Sequence, residues 1–336
     1  MAALTPLDAA PATVRRTPSK PVLLVGLTAG LGVILVALLM LFIMPSLKSG
    51  AHNLPIGLAG PSSAVTQVEE GLDAGAPGAY TTRAFASEAA LRDAVLDRDV
   101  VGGILVDEGG VHALVVGAGS TAISATISGT AQSLAEKAGT SAEIEDVVPL
   151  PESDPTGVGI GGLAFPLVFG GIVPAVAFRK VFSRSLGWAV GGILAFAAVG
   201  GIVVAAVLMF LFGSITTAFW PVAAAMALGI AGLALPLAGL QEVFGGKGFT
   251  IGAMIMMFVG NPLAGIATGA AWLPAGLGAI GQILPPGAAG TLVRSAAYFG
   301  GAGGLAAGLT LAAWVAAGAL LLAVGARRTH LLSPSR

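Results

Sequence analysis

Between Pro21 and Pro45 the chain reads PVLLVGLTAGLGVILVALLMLFIMP, without one charged side chain. A hydrocarbon core about 30 Å thick takes roughly 20 apolar residues in a helix, so this stretch predicts a first membrane span over residues 21–45. Arg15, Arg16 and Lys20 lie just before it. A secretory signal also carries a basic flank, but its apolar region runs only about 7–15 residues. The Arg15-Arg16 pair is followed by Thr-Pro-Ser-Lys, not by the apolar pair of a twin-arginine signal. The stretch therefore reads as an uncleaved anchor behind a disordered cytoplasmic tail of residues 1–20.

The rest of the chain is of the same character. Hydrophobic residues make up 55% of it and charged residues 10%, where a soluble domain carries roughly a quarter charged. Further apolar stretches cover about 157–178, 186–212, 219–240, 249–268 and 304–326. The expected fold class is a polytopic α-helical membrane protein with six transmembrane helices, one plus five. An extracytoplasmic α/β domain, residues 46–156, is inserted between helices one and two. The five-helix block then covers 157–326 and a cytoplasmic tail 327–336. Charge gives the direction. Fifteen of the seventeen acids fall between Glu69 and Asp154, and over 46–157 they outweigh five bases to leave a net charge of −10. Lysine and arginine in short loops mark the cytoplasmic side. Here they are Arg15, Arg16 and Lys20, then Arg179, Lys180 and Arg184, then Lys247, then Arg327, Arg328 and Arg336. Six spans put all four groups, and both termini, on one side, the expected cytoplasmic face of a plasma-membrane protein.

Within 46–156 the pattern changes to short β-like runs alternating with amphipathic helices, as in an α/β domain. Strands are predicted at 53–59, 79–84, 100–106, 111–117 and 143–148, with helices at 62–73, 88–97 and 121–137. Ser87 stands at an N-cap position before the apolar stripe Ala90, Leu91, Ala94 and Val95. Asp107-Glu108-Gly109-Gly110 between two β-branched runs reads as a hairpin turn. Without cysteine, the domain relies on core packing, and thiolate chemistry and disulfides are excluded. His52 and His112 lack paired ligand spacing. Glu143, Glu145, Asp146, Glu152 and Asp154 lack the glycine-punctuated pattern of a calcium loop and read as a solvated acidic face.

Two motifs resemble nucleotide sites only on paper. Gly157-Val-Gly159-Ile-Gly161-Gly162 satisfies GxGxxG, but no strand feeds it and it opens a membrane helix, where small residues four apart allow close packing. The same reading extends to Gly187 with Gly191, Gly265 with Gly269 and Gly304 with Gly308. Gly246-Lys247 lacks the rest of a phosphate loop. The chain is thus expected to hold no ATP site, catalytic constellation, cofactor or metal, and to bind no nucleic acid. More informative is the stretch of about 260–303, where Asn261-Pro262 interrupts span five and Pro274 and Pro285-Pro286 follow, yet the composition stays apolar. Broken backbone at membrane depth survives only where protein or a water-filled cavity covers it, so short re-entrant or interfacial helices are predicted on the outer side. Asn261, Pro262, Pro285, Pro286 and Arg294 are the candidate substrate or lipid contacts. Arg294 with Tyr298 reads either as a draw for an anionic head group or, more plainly, as an interfacial anchor.

One span, a large external domain and five further spans with a broken segment before the last resembles the permease subunits of type-2 ABC exporters. Leu54-Pro-Ile-Gly-Leu-Ala-Gly-Pro61, Gly102-Gly-Ile-Leu105, Leu150-Pro-Glu-Ser-Asp-Pro155 and Leu284-Pro-Pro-Gly-Ala-Ala-Gly290 are similar to phrases of the phage infection protein-like (YhgE/Pip) branch and related actinobacterial membrane proteins. The resemblance implies export of an amphipathic, lipid-like or envelope-related substrate, a homodimer in the lipid bilayer, and a separate ATPase subunit. The chain departs from that pattern in its Pro/Ala/Thr-rich N-terminus and its short 179–185 loop, where such permeases offer an amphipathic helix and a coupling helix. The alternative is a non-transporting receptor or scaffold whose external domain binds an envelope component or a partner protein. A membrane enzyme ranks third, since Glu242 and Lys247 are expected at the cytoplasmic rim and almost no other charge lies at membrane depth.

Overall fold

The structure, a computed structural model, describes residues 19–107 and 109–332. Arg15, Arg16, Glu108, Arg336 and the tail over 1–18 lie outside the described residues. The quoted apolar stretch forms α1 (Lys20–Leu47), whose 28 residues reach about 42 Å at 1.5 Å per residue.

The described residues from Leu41 onward form one compact unit. Its first part is built from β1 (Leu54–Ala59), α2 (Ser62–Gly75), β2 (Tyr80–Phe85), α3 (Glu88–Leu96), β3 (Gly103–Asp107), β4 (Gly110–Val115), α4 (Thr121–Ala138) and β5 (Ala142–Asp146). These follow the predicted order, with ends shifted by up to three residues. They make one mixed sheet of order β2-β1-β3-β4-β5, parallel except for the β3–β4 hairpin, where Asp107 pairs with Gly110. The Asp107 carboxylate accepts from Gly109 N at 2.7 Å and from Gly110 N at 3.1 Å, so the turn is held by its own first residue. Ser87 caps α3 by accepting from Ala90 N at 3.2 Å.

Alternation along the strands divides the core. Leu54, Ile56 and Leu58 face α2 and α4 together with Ile104, Val68, Leu72, Ile123 and Ile127. On the other face α3 sets Leu91, Ala94 and Val95 against Ala59, Val100, Leu114 and Val116. Leu91 is fully buried because the sheet beneath it is bare. Gly57 and Gly103 are paired across β1 and β3, and a Cβ on either would lie 2.1 or 2.7 Å from Leu91 Cδ1. Strand β5 forms one edge, and Glu143, Glu145 and Asp146 on it are exposed.

The second part continues through α5 (Val158–Gly161), α6 (Ala164–Val181) and α7 (Leu186–Ala206), which ends in a π-helical turn over Val207–Leu211. Then come α8 (Phe219–Met254), ending in a second π-helical turn over Ile255–Gly260, and α9 (Leu277–Ile283), α10 (Pro285–Tyr298) and α11 (Leu305–Leu332). Among the described residues five helices are long and apolar enough to cross a membrane: Lys20–Leu47, Val158–Val181, Leu186–Leu211, Phe219–Gly260 and Leu305–Arg328.

The fourth of these covers what the sequence divides into stretches at 219–240 and 249–268. It is two arms joined at Gly245, whose φ of 66° and ψ of −160° are not helical. A Cβ on Gly252 would stand 2.7 Å from the Leu240 side chain and 2.9 Å from Leu237. In a straight helix residues 237 and 252 would be about 22 Å apart, so the second arm folds back along the first. That arm ends at Gly260, eight residues before the predicted limit, where Pro262 removes a backbone donor and the chain turns.

The first arm of α8 is the hub. Its residues from Gly229 to Gly239 are all buried, which explains a segment apolar on every side. Small residues bring its neighbours close: a Cβ on Gly171 would be 2.3 Å from Leu233 Cβ, and one on Gly201 2.3 Å from Ala223 O. The glycine pairs need correction in part. Gly304 packs on Ser295 and Gly308 near Leu292, as expected of close helices, whereas Gly187 and Gly191 face open space. Gly265 and Gly269 are turn residues with φ of 61° and 89°.

The seat of Leu91 is testable. Leu91→Ala is expected to cost about 2–5 kcal/mol and Gly103→Ala about 1–3 kcal/mol, in chemical unfolding of the purified protein. The double variant should cost at least about 1 kcal/mol less than the two together, and simple additivity would show that Leu91 does not rest on Gly103.

Candidate functional site

The membrane block has two chemically distinct ends. At one, Arg179 near the close of α6 pairs with Glu242 on α8, both largely buried, at 2.5 Å, and a Cβ on Gly325 of α11 would meet the Glu242 side chain. At the other end the chain breaks repeatedly, and the α/β part is joined to it. Ser120, which caps α4 by accepting from Ile123 N at 3.3 Å, donates its hydroxyl to Thr268 O. Gly50 N donates to Trp272 O at 3.0 Å. Trp272 packs on the α2–α4 core and Phe299 on the α3 core.

A large and a smaller cavity lie at this joined end, with a minor one between Ser120 and Tyr298. The larger, about 640 Å³, is a groove between α5–α6 and the π-helical close of α7. Val203, Val204, Val207, Leu208 and Leu211 form one wall and Val158, Leu163 and Pro166 the other, and Ser153, Asp154 and Ser214 sit at its polar end. The rim is apolar and open: Val203 is 54% exposed and Leu211 72%. The polar end is built by Asp154, which is buried and accepts from Val158 N and Gly159 N at 2.8 Å each. The carboxylate thus satisfies two first-turn donors of α5. The GxGxxG run is therefore a capped helix start. Gly157 holds φ at 69°, and Gly159 is bare because its Cβ would stand 1.9 Å from Ser214 Oγ.

The smaller cavity, about 250 Å³, lies where the turn after α3 meets α9, α10 and the 299–304 turn. Arg98 and Arg294 both line it, with Ser120, Gln282, Thr291 and Phe299. Arg294 is 8% exposed; its Nη2 donates to Ile266 O, and its Nε is buried without a partner. Arg98 occupies a left-handed turn position, φ 65°. Its guanidinium lies 4.7 Å from the centre of the Phe299 ring, and its Nη1 is buried without a partner. Burial pulls the Arg98 guanidinium below its ordinary range. Glycine at 303, with φ 68°, leaves room for the Arg98 side chain.

Of the five candidate contacts read from the sequence, Arg294 alone lines either the large or the smaller cavity. Pro285 and Pro286 are buried at the first turn of α10, the position proline suits, and Pro286 packs on Gly260. Asn261 is buried with its Oδ1 unpartnered, and it and Pro262 mark the helix end without lining either cavity. Tyr298 donates to Ser214 O at 2.8 Å, tying α10 to the groove. Arg98, Gln282 and Thr291 were not singled out.

The acids of the domain are spread among separate partners. Glu145 receives Arg92 at 2.6 and 2.7 Å, which holds its carboxyl below the usual range. Glu143 lies 3.2 Å from His112, and Asp146 accepts from Gly117 N and Val148 N. His52 Nδ1 lies 2.9 Å from Gly50 O. Among the described residues no three His, Asp or Glu side chains are grouped to hold a metal. Comparison with protein-family models, curated proteins and solved structures finds no match.

The cap at the groove's polar end should be measurable. Asp154→Ala is expected to cost about 1–2 kcal/mol in chemical unfolding, and Asp154→Asn less, since the amide oxygen keeps one acceptor.

Proposed function

We propose that this chain is a six-span permease-like protein of the plasma membrane that moves an amphipathic, lipid-like substrate outward, with the α/β part outside the cytoplasm. The observation that carries the reading is the groove. Its apolar wall lies on a helix composed for lipid, and its polar end is fixed by Asp154 and Ser214. An acyl chain matches the wall, and a head group would lie toward the α/β part.

Support for six crossings comes from the fold-back at Gly245, which runs the second arm of α8 beside the first. Support for orientation comes from charge. Arg179, Lys180, Arg184 and Lys247 lie in or beside the α6–α7 and mid-α8 turns, at the end away from the α/β part, and Arg327 and Arg328 close α11. By the positive-inside rule that end is cytoplasmic. Outward transport with a separate ATPase, and a homodimer, rest on the layout's resemblance to exporter permeases. The ATPase would meet the same basic end, where only Phe182–Ser185 link α6 to α7.

Three measurements address the reading. Impermeant maleimide should label Glu136→Cys in intact cells and Ser183→Cys only after permeabilisation; equal labelling of both would overturn the orientation. A lipid with a photoactivatable acyl chain should crosslink to 203–212, and Val207→Trp, which fills the groove, should cut that labelling several-fold. Labelling spread evenly along α7 and indifferent to the tryptophan would remove the substrate reading. An ATPase should copurify in mild detergent, and its consistent absence would exclude ATP as the drive.

A further inference from the structure

We propose that the cavity between Arg98 and Arg294 is a binding site for a phosphoryl-type oxyanion, either free phosphate or the head group of an anionic phospholipid. It stands independently of the transport reading, which rests on the groove.

The argument begins with charge. Arginine does not give up its proton under ordinary conditions, so Arg294, which is buried, and Arg98, which is half-buried with its Nη1 out of reach of water, both stay cationic, and a cation withdrawn from water needs a counter-charge or a full set of acceptors. Neither arginine has one. Among the described residues no carboxylate lies within 4.0 Å of either guanidinium. Asp97 and Asp99, which flank Arg98, are exposed. Arg294 spends one Nη2 donor on Ile266 O and leaves Nε orphaned, and Arg98 leaves Nη1 orphaned. The Phe299 ring offers Arg98 cation–π attraction, but it adds no negative charge. Two like charges on one small cavity repel, and the repulsion grows as water is excluded.

The other polar groups on the wall are already engaged. Ser120 Oγ donates to Thr268 O, Thr291 Oγ1 donates to Gln282 Oε1 at 2.6 Å, and Gln282 Nε2 donates to Ala264 O at 3.2 Å. The unused capacity of the cavity is thus donor capacity from two guanidinium groups. A single carboxylate can be taken up by one guanidinium fork. A tetrahedral phosphoryl group has three or more oxygens and can accept from two guanidiniums on different walls at once. The two arginines come from different parts of the molecule, Arg98 from the α/β part and Arg294 from α10, so the anion would close the joint between them. Without it, the joint holds a repelling pair.

The test uses the purified full-length protein, stripped of lipid by detergent exchange, with its thermal midpoint followed at constant ionic strength. Inorganic phosphate and a short-chain phosphatidic acid in micelles are titrated separately against chloride and short-chain phosphatidylcholine. The wild type is expected to show a saturable rise in midpoint with at least one phosphoryl ligand. Arg98→Gln should weaken that ligand at least tenfold while leaving the ligand-free midpoint equal or higher, because it removes one of two repelling charges. Arg98→Lys, which keeps the charge and loses the fork, should fall between. Arg294→Gln should also abolish the response; if it fails to fold, the Arg98 pair carries the test. A response to phosphate identifies a free-anion site, and a response to the phospholipid alone identifies a head-group site. No response to either overturns the proposal, and so does a response that Arg98→Gln leaves unchanged. Photolipid labelling of the groove in Arg98→Gln separates this result from the transport reading, since that labelling should persist.

Discussion

Backbone groups buried away from water require partners, and in this protein that requirement is concentrated between Asn261 and Gly304. Its carbonyls are met one by one, three from within the segment and three from outside it: Ala264 by Gln282, Ile266 by Arg294, Ala302 by Ser295, Thr268 by Ser120, Trp272 by Gly50 N and Ile283 by Trp314. The donors come from both parts of the compact unit. The broken segment is therefore the element through which the α/β part and the helical block become one body. Arg294 lies where it does because an irregular carbonyl needed a donor, and the cavity beside it follows from the same arrangement.

Against this, the helical block solves its own problem with small side chains. The first arm of α8 is surrounded on all sides, and glycine and alanine at its contacts let helices approach to backbone distance. Tight packing in the middle leaves the irregular, polar features at the ends. Both π-helical turns, Val207–Leu211 and Ile255–Gly260, close their helices next to such features. Wider turns of this kind are common near functional sites, and one of the two forms a wall of the groove.

Much of this was legible in the chain. A period of two against 3.6 separates the strands from the helices of the α/β part, and Ser87 and the Asp107 turn act through neighbours within three residues. Four of the five long apolar helices match their apolar runs to within three residues. What was not legible depends on residues far apart. Gly245 sits in a glycine-rich stretch that reads as a short connection between two spans, but that the break falls on this one residue, with helix on either side, shows only in its backbone angles. Arg98 stands between two aspartates and reads as a solvated turn. Its partial burial comes from Phe299 and Gly303, some two hundred residues on, which leave no mark near position 98. The glycine pairs at 187 and 265 share the spacing of the pair at 304, but spacing does not distinguish a packed stripe from an open one or from a turn.

The edge strand β5 has a consequence for how copies of the protein meet. A membrane confines neighbouring molecules to a plane and holds them in a common orientation, so sheet edges at equal height encounter one another far more often than in free solution. An unpaired strand edge is a template for pairing. Here the edge presents Glu143, Glu145 and Asp146, and a second copy would bring the same acids against them. Crowding in the plane is thereby kept from pairing two copies through β5.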